Sequence, residues 1–206
     1  MSNTRERILD TARGQVEARP SAVPSMSEVA RAAGISRQAL YLHFPDRCAL
    51  LLAVVEHVDE REGLEAGIAA VEAAADGAAQ MRAWVDMQAR RNPRIASLAR
   101  ALDQYRYGDD AAARAWRDRT ANRMRGATAI VQRLRRDGRV HRSWATTEAA
   151  MLVWEFASFR VWDDLVNEAG LTSERYAEIV TTAVLSALAA PVRRGRPSAG
   201  REAGSA

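Results

Sequence analysis

SMSEVARAAGISRQALYLHFPDRCALL, residues 25–51, decides how this chain is read. Ser25 stands three residues before Glu28, the spacing of a capping box in which hydroxyl and carboxylate each satisfy a backbone N–H left open by the first helical turn. A helix is therefore expected to begin at Met26, with Val29, Ala30 and Ala33 at helical spacing on its apolar side. Gly34 ends it. Only a residue without a Cβ turns easily into the left-handed conformation that closes a helix, and Ile35 then packs into the angle between two helices. Ser36 caps the next, short helix, from Arg37 to about Phe44, and Pro45 with Asp46 stops it before a third begins near Arg47. The spacing is that of a helix–turn–helix whose second helix is a recognition helix.

That second helix carries side chains suited to a base edge. The Gln38 amide both donates and accepts, as an adenine edge requires; Arg37 pairs with guanine or falls on a phosphate, and Ala39 meets a thymine methyl. Leu40 and Phe44 read as core, whereas Arg37 and Gln38 have no reason to be there.

Residue for residue, the segment resembles the DNA-binding domain of the tetracycline-repressor (TetR) family of bacterial transcriptional regulators. The resemblance rests on Glu28, Ala30, Ala33-Gly34-Ile35-Ser36, Leu40-Tyr41, His43-Phe44-Pro45 and Arg47, and extends upstream through Ile8-Leu9-Asp10 and Ala12, about a quarter of the chain. Val16 sits where the family usually has phenylalanine, and Pro20 replaces the usual glycine before the connection Arg19 to Pro24. The resemblance implies phosphate contacts from Tyr41 and His43, with Arg47 in the place of the family's phosphate-binding lysine. Ser27 is read as a further backbone contact, and Ser36 is counted with the DNA-binding set. A twofold dimer joined through the last two helices is also implied. Two heads in successive major grooves lie about 34 Å apart, so the operator in double-stranded DNA should be roughly palindromic.

Composition agrees. At 206 residues the chain has room for a small DNA-binding domain and a helical domain with its own core. Residues 1–50 carry seven arginines against five acids, residues 51–190 nineteen against twenty, and residues 191–206 four against one. Positive charge is thus concentrated in the reading head and the tail, with a balanced middle. Three regions are expected: a helix–turn–helix domain over 1–50, an effector-binding and dimerisation domain over 51–190, and a disordered basic tail over 191–206. The single cysteine, Cys48, has no partner for an internal disulfide. No signal peptide or apolar run of membrane-spanning length is present, so a cytoplasmic protein is expected.

Beyond the head the pattern is entirely helical, which makes the fold class all-α. Helices are expected from Arg47 to about Ala75 with a bend at Gly63 or Gly67, from Gly77 to Arg91 before Pro93, and from Arg94 to Tyr105. Further helices are expected from Asp109 to about Arg136, from a cap at Thr146 or Thr147 to Ala169, and from Thr172 to just before Pro191. With the head this makes about nine, the count the resemblance implies. The helix ending at Ala169 reads as apolar on two sides. Met151, Trp154, Val161, Trp162 and Leu165 form one; Leu152, Phe156, Phe159 and Val166 form the other. Such a helix needs two partners. The last helix offers Tyr176, Ile179, Val180, Ala183, Val184, Ala187 and Leu188 for a four-helix interface between two subunits.

Large rings with a few polar groups, namely Trp84, Met87, Gln88, Leu102, Tyr105, Trp116, Thr120, Met124, Trp154 and Phe159, suit either a core or a pocket for a small apolar or aromatic effector. Glu155 stands out among apolar neighbours and, if buried, needs an arginine or a ligand cation. The family mechanism implied by the resemblance is that effector binding shifts the helix starting near Arg47 and releases DNA. No catalytic constellation, cofactor motif or metal-ligand spacing is present: His57 and His141 are not spaced with Cys48 as ligands, and the acid pairs are adjacent and diverge on a helix. The chain therefore reads as a regulator and not an enzyme. The alternative is a protein-binding coactivator that keeps the fold, for which Gln38, Tyr41, His43 and Arg47 have no use.

Overall fold

A computed structural model describes residues 4–19 and 23–192; Pro20 and residues 193–206 of the tail lie outside the described residues. The described residues are all-helical: α1 (Thr4–Ala18), α2 (Met26–Ala32), α3 (Arg37–His43), α4 (Arg47–Arg61), α5 (Leu64–Glu72), α6 (Gly77–Tyr105), α7 (Asp110–Arg136), α8 (Thr146–Phe156), α9 (Phe159–Asp163) and α10 (Ser173–Ala189). With α8 and α9 counted as one helix broken at Ala157–Ser158, these are the nine expected.

Most boundaries are set by caps within a few residues. Ser25 and Glu28 exchange both bonds of the capping box, at 2.8 and 3.2 Å. Gly34 has φ +67°, and the Ile35 N–H reaches back to Ala30 O at 3.0 Å. Ser36, Asp46, Asp109 and Thr172 each accept from the backbone N–H three residues on. Gly138, with φ +69°, closes α7, and the Arg139 N–H bonds to Leu134 O at 2.8 Å.

Four boundaries differ from the sequence reading. The helix expected from Arg47 to Ala75 is two helices, because Gly63 takes φ +72° and turns the chain between α4 and α5. Gly67 lies within α5 and does not bend it. A Cβ there would lie 2.9 Å from Met87 Cγ, so any larger residue would require the Met87 side chain to shift. The helices expected on either side of Pro93 are a single α6. An interior proline costs about 3 kcal/mol, but α6 buries Met81, Trp84 and Val85 before it and Ile95, Leu98 and Leu102 after it. At ~1.5–3 kcal/mol per large apolar side chain, that burial wins. The helix expected from Thr146 or Thr147 to Ala169 breaks, because the Ser158 hydroxyl accepts from the Val161 N–H at 3.1 Å and starts α9. After α9 the chain widens into a π-helical turn over Asp164–Glu168. The start of α8 is held by the Glu148 carboxylate, which accepts from the Ala145 N–H at 3.0 Å, and not by a threonine.

Two cores result. In the head, Ile8, Leu9, Ala12 and Val16 of α1 pack with Val29 and Ala30 of α2, with Leu40, and with Leu50, Leu51, Val54 and Val58 of α4. Val16 is fully buried, so it fills its place in that core without the larger ring. Ile95, Leu98, Ala101 and Leu102, from the second half of α6, complete the same cluster. The first half of α6 joins the body core with Ile130 and Leu134 of α7, Val153 of α8, Trp162 of α9 and Tyr176, Val180, Val184 and Leu188 of α10. No helix among the described residues is long and apolar enough to cross a membrane. Leu98→Ala is expected to lower the unfolding free energy by about 2–5 kcal/mol in urea titrations followed by circular dichroism; a loss below about 1 kcal/mol would show that α6 is not what closes the head core.

Candidate DNA interface and effector cavity

The recognition helix α3 is held at its start by Ser36, whose hydroxyl accepts from the Ala39 N–H at 3.0 Å, and along its inner side by buried Leu40 and Phe44. Its outer side is open: Arg37, Gln38, Tyr41 and His43 are exposed, as are Ser27 and Ser36, while Ala39 and Arg47 are half-buried. The Arg37 guanidinium lies over the Tyr41 ring at 5.5 Å and donates to its hydroxyl at 3.3 Å, which orders both side chains on one surface. Leu42, 85% exposed, was not singled out in the sequence; it lies four residues from Gln38 and so on the same side of the helix. Arg47 lies over the Tyr105 ring at 5.3 Å, so the first residue of α4 touches the end of α6.

Behind the head, α4, α5, α6 and α7 enclose a cavity of about 630 Å³, with Phe159 also on its wall. Of the rings and polar groups named from the sequence, Trp84, Met87, Gln88, Leu102, Trp116, Thr120 and Phe159 line it. Four residues of that set stand elsewhere. Tyr105 packs at the head, under Arg47, and donates to Asp109 at 3.2 Å. Met124 packs against the body core. Trp154 stands behind the wall, donating its indole N–H to Thr120 O at 3.3 Å with Arg123 over its ring at 4.6 Å. Glu155 is exposed, which removes the need for a buried counter-charge.

The cavity also holds charge that sequence reading missed. Arg91 binds Asp59 through two 2.6 Å bonds, a bidentate pair that occupies both carboxylate oxygens. Arg119 approaches the same carboxylate only at 3.9 Å. Burial, and then the repulsion of Arg91, lower the Arg119 pKa. Burial likewise lowers that of Arg123, which donates to Trp154 O at 3.0 Å. Its Nε and the Nδ2 of Asn92, a residue only 1% exposed, are buried without a partner. Arg119 and Arg123 stand four residues apart on α7; that spacing was a usable signal, but a charged face of a helix ordinarily faces water. Among the described residues, no group of His, Cys, Asp or Glu could hold a metal ion. His57 instead bonds Asp10 at 3.1 Å across α1 and α4, and Cys48 is buried, which pushes its thiol pKa up.

The outer faces of the last helices are mixed. Met151 is 57% and Phe156 39% exposed on α8, whereas Val153 and Ala150 are buried. Because Ser158 breaks the helix, the two continuous apolar sides expected through Ala169 do not form, and Trp162 turns inward. On α10, Tyr176, Val180, Val184 and Leu188, expected at an interface, serve the protein's own core, while Thr182, Ala183 and Ser186 face out.

Residues 8–54 match the family described as bacterial regulatory proteins, tetR family. No curated protein matches the chain by sequence. Similar solved structures include a transcriptional regulator of Pseudomonas aeruginosa PAO1, with TM-score 0.72, 16% identity and coverage of 90% of this chain and 89% of that one. The fatty acid degradation regulator FadR of Bacillus halodurans gives TM-score 0.68 at 14% identity, covering 90% and 96%. FadR of Bacillus subtilis, in complex with stearoyl-CoA, gives 0.67 at 11% identity, covering 88% and 97%. The reading head, residues 8–54, thus matches the tetR family of bacterial regulatory proteins, and the helical body behind it has the fold of these solved structures.

Proposed function

We propose that the protein is a ligand-responsive repressor that binds a palindromic operator as a homodimer and releases it when a small effector with an apolar or aromatic body enters the α4–α7 cavity. In this reading residues 1–50 form the DNA-binding domain and 51–190 the effector-binding and dimerisation domain. The observation that carries it is shared membership: Val55, Ile95 and Leu102 line the cavity and also belong to the head core. A ligand touching them bears directly on the packing that orients α3. Release requires only that the ligand prefer one arrangement of α4 and α6, with about 1–3 kcal/mol of coupling typical of such systems. That the similar FadR of Bacillus subtilis is held with stearoyl-CoA supports an apolar ligand in a body of this fold.

On DNA, Gln38, Arg37 and Ala39 are assigned to base edges, and Ser27, Ser36, Tyr41, His43 and Arg47 to the backbone, where contacts fix register without reading sequence. The dimer is assigned to the exposed sides of α8 and α10. Small residues such as Ala183 permit close helix approach there, and Met151 and Phe156 supply apolar area.

Selection of duplexes from a random pool by the purified protein, with sequencing, is expected to yield a palindromic motif. No enrichment by folded protein at low salt would overturn this reading in favour of a protein-binding coactivator. Gln38→Ala is expected to relax preference at one position in each half-site, costing about 1–3 kcal/mol of discrimination. Arg47→Ala should weaken all duplexes and reduce the slope of log affinity against log salt by about one. Ala183→Arg is expected to convert the dimer to monomer in sedimentation velocity without lowering its melting temperature. A dimer that survives this substitution would place the interface elsewhere.

A further inference from the structure

We propose that the effector carries an anionic oxygen group, seated on Arg119, Arg123 and Asn92, with its apolar body along Trp84, Trp116 and Phe159; this rests on reading the cavity as the effector site. The wall holds Arg91, Arg119 and Arg123, but the only carboxylate set back from solvent there, Asp59, already gives both oxygens to Arg91. Glu56 and Glu72, the other acids on the wall, are exposed, and neither forms an ion pair with Arg119 or Arg123. At 3.9 Å from Asp59, Arg119 makes no hydrogen bond to it, and none to any other of the described residues.

A buried donor without an acceptor is costly, and a charged one more so. The wall carries two, Arg123 Nε and Asn92 Nδ2, on residues that also face the cavity. An oxyanion supplies several acceptor positions at once and neutralises Arg119, which is strong recognition because the bonds are charge-assisted. A cationic ligand would meet Arg119 and Arg123, to which no carboxylate of the described residues is hydrogen-bonded. Gln80 Oε1 is the one buried side-chain acceptor of the wall without a partner among the described residues, and it suits a single donor on the ligand, such as a hydroxyl.

The test compares two fluorescent probes on the full chain, anilinonaphthalene sulfonate and N-phenylnaphthylamine, which share their rings and differ in the sulfonate. Location is read by energy transfer from Trp84 and Trp116 and its loss in the Trp84→Phe/Trp116→Phe variant. The sulfonate is expected to bind roughly tenfold or more tightly than the neutral amine, and Arg119→Gln or Arg123→Gln to remove that preference while the amine binds as before. Retained amine binding shows that each variant is folded. Equal affinities, or a preference that survives both substitutions, would overturn the anionic effector and leave the cavity reading standing. Failure of both probes to reach Trp84 and Trp116 would overturn the cavity reading, and this inference with it. Displacement of the bound sulfonate by decanoate or by decyl phosphate then separates a carboxylic acid from a phosphate ester as the source of the charge.

Discussion

Helix α6 is the member on which the rest of this structure depends, because its two halves belong to different cores. Met81, Trp84 and Val85 close the body; Ile95, Leu98 and Leu102 close the head. Pro93 lies between the two sets, at the one interior position where the helix lacks a ladder N–H. The chain tolerates that loss because ending the helix there would leave one core open. The Arg100 guanidinium adds to the arrangement by binding Asp163, with Nε to Oδ2 at 2.9 Å, tying the head half of α6 to α9.

A shared helix makes head and body mechanically dependent without any dedicated linkage. Packed interiors are close to crystal density and respond to added volume by moving whole elements. The cavity abuts the span in which α6 passes from one core to the other, and Val55 brings α4 to the same wall. Tyr105 extends the contact to the end of α6, where Arg47 lies over its ring, so a residue assigned to the DNA backbone already rests on the body. A cation over an aromatic face contributes about 0.5–1 kcal/mol at an exposed site, enough to bias the orientation of Arg47 but not to hold the domains together. The hydrophobic seam does that.

The polar side of the cavity follows a different logic. The Arg91–Asp59 pair is close to self-sufficient, with both oxygens occupied. Arg119 and Arg123 are not matched in this way, and burial lowers the pKa of both. Both are half-buried, and keeping a guanidinium partly out of water without all its donors satisfied works against stability. Groups kept at that cost are characteristic of functional sites.

What the sequence by itself determined is local. The capping box at Ser25 and Glu28, the turn at Gly34, the caps at Ser36, Asp109 and Thr172 and the close at Gly138 involve atoms a few residues apart, so each is legible without knowledge of the fold. The exposed side of α3 was legible for the same reason, and with it the likeness of residues 8–54 to the tetR family. Tertiary structure alone decided that α6 runs through Pro93, that Val180 and Val184 turn inward while Ala183 faces out, and that Glu155 is exposed. It also decided that Arg91, Asn92, Arg119 and Arg123 meet rings from distant helices on one wall. These outcomes are sums of burial over segments far apart in the chain, where two apolar faces of similar strength compete and only the assembled core shows which one wins.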